Sequence, residues 1–479
     1  MKKSLTLNTI LYTLKSIFSI VYPLITFPYI SRVLSAEGVG QYSFSNSVVS
    51  YFLLIAALGT STYAIREGAK IRDDREKFQK FAQEIFSINI ISMLVSLTLL
   101  FLVVQIPKLK SYENIILILA IAIPLTTIGT EWIFNIYEDF AYITIRSMAF
   151  QCLSLVGLLI FVKDANDVWK YAVTTVTATA GSNVLNYKKA KKYFKHKIII
   201  NKKLIKHIKP VFILFAAAVA SQIYINADIT MLGLMQGDYA TGMYSAASKI
   251  YNILRTVLTA AIAIIMPRIA YLKDNNKEGY SSMLSGIFNL YVFLVIPCCI
   301  GVLLIADEVL LLLCGVEFLD AGLSLKILAI ALIFSTLGSF IANVILVVHS
   351  EEKTILAATC IGATLNIIGN IFLIKEFSYV GAALTTLMSE LIVFIIQSVR
   401  AQKYEKISGA FVNLIKVLLG VLLMSVIHVL IPKWNGSALI EMSITVISSV
   451  IIYIISMLCL KQESIVLILK SVCSRKKDN

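Results

Sequence analysis

One arginine lies deep inside a long apolar segment of this 479-residue sequence. Arg255 comes six residues after Lys249, which is about 9 Å further along a helix that rises about 1.5 Å per residue. No acidic residue of its own helical hairpin lies at that depth, so we expect Arg255 to be an unpaired cation that faces a protein or water-filled interior. A planar guanidinium can donate two parallel hydrogen bonds to a phosphate. Arg255 is therefore the first candidate for binding an anionic phosphate group.

Three further cations could contribute to the same site. Lys15 lies about two turns into the first apolar segment, where its long stem could instead reach the inner membrane surface. Arg146 is either an anion-capturing residue at the inner mouth of the fifth segment or an interfacial anchor. Lys249 and Asp228 flank an outer turn near residue 238 at similar depth, so they are either site residues or a structural ion pair.

Three acids in apolar segments are candidates for binding a coupling ion, either H⁺ or Na⁺. They are Asp228, Glu390 near the middle of the twelfth segment, and Glu131 toward the inner end of the fourth. Each of them could equally be held in a structural pair, and the sequence leaves both interpretations open.

The composition requires that these residues lie in a membrane protein. Hydrophobic residues make up 58% of the chain and charged residues only 15%, and the mean hydropathy is +0.83. A soluble domain carries about 25% charged residues, so a water-facing surface cannot be built from this chain. We expect an all-α polytopic membrane protein with about fourteen transmembrane helices and no sizeable domain outside the bilayer.

Apolar segments of the required length occur throughout the chain. The predicted spans are residues 7–33, 41–65, 81–106, 112–136, 141–162, 168–187, 210–235, 242–270, 281–305, 321–348, 354–374, 379–399, 409–431 and 439–460. Prolines inside three of them, Pro23 and Pro28 in the first, Pro124 in the fourth and Pro297 in the ninth, should bend their helices. The first span lacks a small-residue cleavage site and is expected to be retained.

The basic residues predict the orientation of these spans. If each lysine or arginine near a span end is assigned to the nearer side, 31 lie on the side of the N-terminus and 9 on the opposite side. Basic residues accumulate on the cytoplasmic side of membrane proteins. Both termini are therefore expected to be cytoplasmic.

The largest basic segment, residues 188–209, contains ten lysines interleaved with apolar residues. It is interpreted either as an amphipathic cytoplasmic linker that sets the topology or as an interfacial helix on anionic lipid. Binding of nucleic acid is disfavoured because spans adjoin the segment at both ends.

The linker separates two related halves. GQYSFSNSVVSYF at 40–52 resembles GMYSAASKIYNIL at 242–254, an offset of 202 residues, and acidic connectors occur at 136–140 and 348–353. We expect two pseudo-symmetric six-helix lobes, 1–187 and 210–400, followed by two additional helices and a basic tail in 401–479. Lobes of the same orientation would have a substrate path between them.

Several function classes are disfavoured. The seven cysteines form no C-x-x-C pair and the four histidines are scattered, so no metal site or cofactor is expected. No G-x-x-x-x-G-K-[ST] phosphate loop is present. The connectors are too short to hold a catalytic domain, and we do not expect an enzyme.

Three segments carry a family resemblance: FPYISRVLSAEGVGQYSFSNSVVSYFLLIAALG at 27–59, EWIFNIYEDFAYITIRS at 131–147 and NADITMLGLMQGDYATGMYSAASKI at 226–250. They resemble polysaccharide-exporting flippases of the MOP exporter superfamily. The resemblance implies export of an undecaprenyl-pyrophosphate-linked oligosaccharide by alternating access through a cationic lumen, in the cytoplasmic membrane of a bacterium. Asp228 falls in the family's Asp-x-x-Met-Leu-Gly stretch, whereas Lys15 matches no motif of the family.

Two alternatives remain open. One is a cation-coupled multidrug exporter of the same superfamily, which should have a cavity dominated by acids. The other is a membrane glycan polymerase or ligase, which should carry a long outer loop with catalytic residues. The expected partners are the lipid-linked oligosaccharide, membrane lipid and a coupling H⁺ or Na⁺, with glycan polymerase machinery as a further candidate.

Overall fold

The computed structural model describes residues 5–405, 407, 409–430 and 438–462. Regular structure in these residues is helical, with no β-strand. The chain packs as two compact units, Met1–Ser245 and Ala246–Asn479. The boundary between the units therefore falls inside a helix, Asp238–Asn275, and not at the basic linker.

The first unit contains eleven α-helices and the start of a twelfth within its described residues. They are α1 (Leu5–Ala57), α2 (Thr60–Ile71), α3 (Arg75–Val104), α4 (Pro107–Lys110), α5 (Glu113–Ala120), α6 (Ala122–Gly129), α7 (Glu131–Ile136), α8 (Phe140–Phe161), α9 (Val168–Val176), α10 (Asn183–Ala190), α11 (Ile205–Met235) and α12 (Asp238–Asn275). A π-helical turn at Thr177–Gly181 joins α9 to α10.

The second unit begins within α12 and continues through six further helices in its described residues. They are α13 (Lys277–Leu304), α14 (Ala306–Leu313), α15 (Gly322–Phe340), α16 (Glu352–Ala401), α17 (Ala410–Leu430) and α18 (Ala438–Cys459). A π-helical turn at Ile341–Leu346 extends α15.

All fourteen predicted spans fall on helices, but several of them share a helix. The first span and most of the second lie on α1, which is interrupted at Ser35 (φ 62°), and the second span ends on α2. The eleventh and twelfth lie on α16, which is interrupted at Ser378 (φ 52°). The fourth span is divided into α5, α6 and α7. Nine helical segments of the described part are long and apolar enough to cross a membrane. The count of fourteen spans therefore stays a prediction.

Small polar side chains join the long helices of the first unit. Ser92 Oγ on α3 donates a hydrogen bond to the carbonyl oxygen of Ala56 at 2.7 Å, and Ser96 Oγ donates to that of Phe52 at 2.6 Å. Serines allow helix backbones to approach closely, and their hydroxyl groups bond across the contact. These bonds fix α3 against α1.

The basic linker runs beside α3 without regular secondary structure over residues 194–200. Residues 194–200 form no helix, so the interfacial-helix alternative is wrong for this stretch. Two side chains of α3 hold the backbone of the linker. Gln83 Nε2 donates a hydrogen bond to the carbonyl oxygen of Lys195 at 3.1 Å, and the amide of Ile199 donates one to Ser87 Oγ at 2.8 Å. Phe194 is buried among aromatic rings of the first unit. The linker is therefore packed onto this unit.

Two glycines make a very close helix crossing inside the first unit. A Cβ atom on Gly40 would lie 1.9 Å from the carbonyl oxygen of Asp238, and one on Gly242 would lie 1.9 Å from that of Ala36. The contacts are reciprocal, since residues 36 and 40 correspond to 238 and 242 at the repeat offset of 202. The helices that carry the two copies of the repeated sequence thus cross at these glycines. Any side chain at either position would collide with the backbone of the other helix.

We predict that Gly242→Ala destabilises the protein by roughly 1–3 kcal/mol, because the new methyl group must push the α1 backbone away. Thermal unfolding of the purified protein in detergent measures the effect. Gly286→Ala is the matched control, since a Cβ atom there meets nothing within 4 Å and alanine favours a helix interior. Equal unfolding temperatures for the two variants would contradict the crossing.

Candidate functional site

The second unit places two of the predicted site residues together. Arg255 on α12 has its Nη1 atom 3.8 Å from Oε1 of Glu390 on α16. Tyr251, one helical turn before Arg255 and on the same helix face, donates a hydrogen bond from its hydroxyl group to the same oxygen at 3.2 Å. The expectation that Arg255 is unpaired is therefore wrong, because its partner comes from a distant helix that the hairpin argument did not consider.

The two charged side chains of this pair differ in exposure. The side chain of Glu390 is 5% exposed, whereas that of Arg255 is 33% exposed. Their separation is longer than a hydrogen bond, so the attraction between them is mainly electrostatic. The arginine side chain is thus partly exposed while the carboxylate stays buried.

The first unit also pairs a predicted arginine with a predicted acid. Arg146 Nη2 on α8 lies 3.6 Å from Glu131 Oε2. Its Nη1 donates to the carbonyl oxygen of Ser182 at 3.2 Å and to Asn183 Oδ1 at 3.1 Å. The side chain of Arg146 is only 3% exposed, so the alternative of an interfacial anchor is wrong.

The other predicted site residues are placed separately. Asp228 is buried on α11 and accepts a hydrogen bond from the hydroxyl group of Tyr244. Lys249 is half-buried on α12, and its ion pair with Asp228 stays a prediction. Lys15 lies on α1, and its side chain is outside the described residues.

The second unit also contains an apolar cavity of about 660 Å³ between α13, α17 and α18. Its walls are almost entirely hydrocarbon, with His428 and Tyr453 among the few polar side chains at its edge. Such a cavity can accommodate an apolar chain but offers little to a charged group. Its lining residues include Phe293, Pro297, Val302, Met424, Val450 and Ile454.

An acidic turn in the first unit is held by two cations. Lys189 Nζ lies 2.7 Å from Asp139 Oδ2. Arg72 Nη1 donates to the carbonyl oxygen of Ile136 at 3.0 Å and pairs with Glu138, whose φ is 54°. We call this set of five residues the first clamp.

The second unit builds the same arrangement from different residues. Arg400 pairs with Glu351, and Lys273 donates to the carbonyl oxygen of Val348. The intervening Ser350 also has a positive φ, 56°. These five residues form the second clamp, which follows the first by about 200 to 212 positions.

The ring contacts of the two clamps match as well. Tyr137 stacks on Tyr193 with ring centroids 4.5 Å apart, and His349 lies on Tyr404 at the same 4.5 Å. The sequence repeat identified the two acidic connectors but missed the cations and rings that hold them. A search for basic residues within one position of the repeat offset would have found Arg72 and Lys273, which are 201 positions apart.

The second clamp lowers the pKa of its carboxylate, Glu351. Hydrogen bonds from Arg400, Thr354 and Tyr404 lower the pKa of Glu351 to about 2. An unfolded glutamate has a pKa of about 4.3, so the folded state binds protons less readily than the unfolded state. The resulting stabilisation is fully present above the unfolded pKa and is lost as the pH falls toward 2.

We predict that the unfolding temperature of the wild-type protein decreases between about pH 5 and pH 3. Glu351→Gln should be less stable than wild type at pH 6 and show a smaller decrease below pH 4.5. Thermal unfolding across this pH range measures both effects. Glu352→Gln, at the exposed neighbouring position, is the control and should keep the wild-type profile; an unchanged profile in Glu351→Gln would refute the assignment.

Among the described residues, no group of three or more His, Cys, Asp and Glu side chains could hold a metal ion. Each unit contains one of the arginine–glutamate pairs described above. Their chemistry is suited to the binding of anions and protons.

A family model and several known proteins match this chain. A family model described as polysaccharide biosynthesis protein matches residues 5–273. A protein of Escherichia coli (strain K12), provisionally named an O-antigen transporter, is 22% identical over 406 residues that cover 82% of this chain and 95% of that protein. The capsular polysaccharide biosynthesis protein CapF of Staphylococcus aureus is 22% identical over 382 residues, covering 76% of this chain and 91% of that protein.

A solved structure shares the fold. The lipid II flippase MurJ in an inward closed conformation superposes with a TM-score of 0.77, covering 93% of this chain and 98% of that chain at 17% sequence identity. This likeness concerns the arrangement of the helices. It agrees with the expected all-α polytopic fold.

Proposed function

The chain belongs to the polysaccharide biosynthesis protein family, and on that premise we propose that it is a flippase that moves a lipid-linked oligosaccharide across a membrane. The observation that carries this proposal is the match, over more than three quarters of the chain, to proteins named for O-antigen transport and capsular polysaccharide biosynthesis. The MurJ-like fold and the nine apolar helical segments in the described part support it.

The substrate that fits best is an oligosaccharide on undecaprenyl pyrophosphate. Its diphosphate is the anionic group for which Arg255 is suited, since a guanidinium fork matches phosphate oxygens. The partial exposure of the Arg255 side chain supports this assignment. Alternating access through a cationic lumen then carries the headgroup and its sugars between the two sides of the membrane.

The other predicted residues have secondary roles in this proposal. Arg146, Lys15 and Lys249 add positive charge along the substrate path. Glu390, Glu131 and Asp228 are the acids through which H⁺ or Na⁺ drives transport. The pairing of Arg146 with Glu131 and of Arg255 with Glu390 supports a link between substrate and ion, since each pair unites one member of each group.

The lipid tail needs a separate apolar environment. Part of an isoprenoid chain would bind in the cavity between α13, α17 and α18, because the lining of this cavity is hydrocarbon. The rest of the tail stays in the bilayer. We place the protein in the cytoplasmic membrane of a bacterium with both termini in the cytoplasm, where the basic connectors favour the inner side.

Reconstitution into vesicles tests this function directly. A defined undecaprenyl-pyrophosphate oligosaccharide is placed in one leaflet, and its sidedness is followed with and without H⁺ or Na⁺ gradients. Protein-dependent movement supports the flippase. Transport of organic cations instead would favour a multidrug exporter, and lengthening of the glycan without movement would favour a polymerase.

We predict that Arg255→Gln lowers the rate of oligosaccharide translocation roughly 10- to 100-fold, because a hydrogen-bonded charge pair is worth about 1.5–3 kcal/mol. Arg268→Gln is the matched control, since Arg268 lies exposed on the same helix, and it should translocate at the wild-type rate. A wild-type rate in Arg255→Gln would remove Arg255 from the headgroup site.

A further inference from the structure

The proposed transport function does not use the basic linker, residues 188–209. This segment contains ten lysines and no acidic residue. Two of its lysines pair with carboxylates of the first unit, at Asp139 and Glu84. Three others are exposed, and no ion pair in the described part of the chain includes them: Lys195, Lys197 and Lys202. Positive charge is therefore available for a partner at the linker.

Exposed isoleucines accompany these lysines along the chain. Ile198 and Ile200 belong to the linker and are 51% and 82% exposed. Ile205 and Ile208, at the start of α11, are 66% and 47% exposed, and Phe212 on the same helix face is 57% exposed. The exposed apolar face of α11 thus extends to the end of the linker. We call the three lysines and four isoleucines the linker surface.

Contacts with α3 place the linker surface at the depth of a membrane interface. This helix is long and apolar enough to cross a membrane, and it ends at Val104. At about 1.5 Å per residue, Ser87 lies about 26 Å and Gln83 about 32 Å before that end. These two side chains hold the linker backbone at Ile199 and Lys195. The hydrocarbon core of a bilayer is about 30 Å thick, so a span that ends at Val104 has its linker contacts at the opposite surface of the core.

An anionic lipid surface fits both parts of the linker surface. Lysines close to a negatively charged leaflet are attracted to the lipid phosphates. Apolar side chains at the same level enter the boundary between headgroups and acyl chains, which removes them from water. An acidic protein in the aqueous phase would compensate the lysines but would not account for the interfacial depth. Charge, apolar side chains and depth together favour phospholipid as the partner.

We propose that the linker surface binds anionic phospholipids of the adjoining leaflet, with the ammonium groups of its lysines on lipid phosphates and its isoleucines at the level of the upper acyl chains. The hydrogen bonds from α3 keep the linker in place, so that anionic lipid collects beside the first unit. This binding does not require a helical linker. It is separate from the headgroup site and does not depend on Arg255 or on the transported substrate.

Fluorescence quenching by brominated lipid tests the proposal in the full-length protein. Ile200→Trp introduces a reporter at the linker surface, and the signal of the natural tryptophans is subtracted with the unsubstituted protein. The protein is reconstituted in phosphatidylcholine vesicles that contain a small fraction of brominated phosphatidylglycerol or the same fraction of brominated phosphatidylcholine. The reporter should be quenched more strongly by the phosphatidylglycerol, because bromine quenches on contact and the lysines enrich the anionic lipid.

Removal of the three charges should abolish this enrichment. Gln at positions 195, 197 and 202 in the reporter protein should lower the affinity for phosphatidylglycerol roughly 10- to 100-fold, since each lysine at an anionic leaflet contributes a factor of about five. The matched control replaces three exposed lysines of the second unit by Gln: Lys353, Lys375 and Lys403. The control removes the same net charge and should keep the preference for phosphatidylglycerol. An unchanged preference after substitution of the linker lysines would overturn the proposal.

Salt provides a test that leaves all lysines in place, for the case in which the triple variant does not fold. Raising the salt concentration from about 0.05 to about 0.5 M shortens the screening length and should weaken the preference of the reporter protein for phosphatidylglycerol. Equal quenching by the two brominated lipids at low salt would overturn the proposal. Absence of quenching by either lipid would place the linker surface in water, where an acidic protein could bind it, and would also overturn the proposal.

Discussion

Charge burial is the constraint on which the polar interior of this protein depends. A charged side chain at membrane depth costs about 3 kcal/mol or more unless a partner compensates for it. Arg146 and Arg255 meet this constraint with a glutamate from another helix, at 3.6 and 3.8 Å. The pairs differ in accessibility, since Arg146 is enclosed by its own unit and Arg255 is not. The same arginine–glutamate pairing is therefore enclosed in the first case and partly exposed in the second.

The backbone obeys a related constraint. Peptide groups inside hydrocarbon need internal hydrogen bonds, so the chain must be helical wherever it crosses the membrane. Two long helices are interrupted, at Ser35 in α1 and at Ser378 in α16. The positive φ of each serine turns the chain between two helical segments. Serine hydroxyl groups on α3 bond to carbonyl oxygens of α1 across the helix contact. Helix content follows from the apolar sequence, and the local breaks follow from specific residues.

Two similar sets of contacts recur in the two units. Both clamps hold an acidic turn through one cation on a carbonyl oxygen and another on a carboxylate, yet Lys189 is replaced by Arg400 and Tyr137 by His349. Geometry has therefore been kept while the residue types changed. The pair of Arg255 and Glu390 has no counterpart in the first unit: residue 53, at the offset of 202 from Arg255, is Leu, and residue 179, at the offset of 211 that relates Arg400 to Lys189, is Thr. This asymmetry is expected if one half carries the headgroup site.

The sequence alone determined the membrane class, the helical fold, the repeat and the identity of the buried charges, because these depend on local composition and on spacing along one chain. It also supplied both arginines and both glutamates of the two pairs as candidates. Only the tertiary structure decided which arginine meets which glutamate, since Arg255 and Glu390 are 135 positions apart and no local pattern joins them. The path of the basic linker was likewise decided by tertiary contacts: its interleaved lysines and apolar residues permit a helix, and the hydrogen bonds that Gln83 donates to Lys195 and that Ser87 accepts from Ile199 hold another conformation.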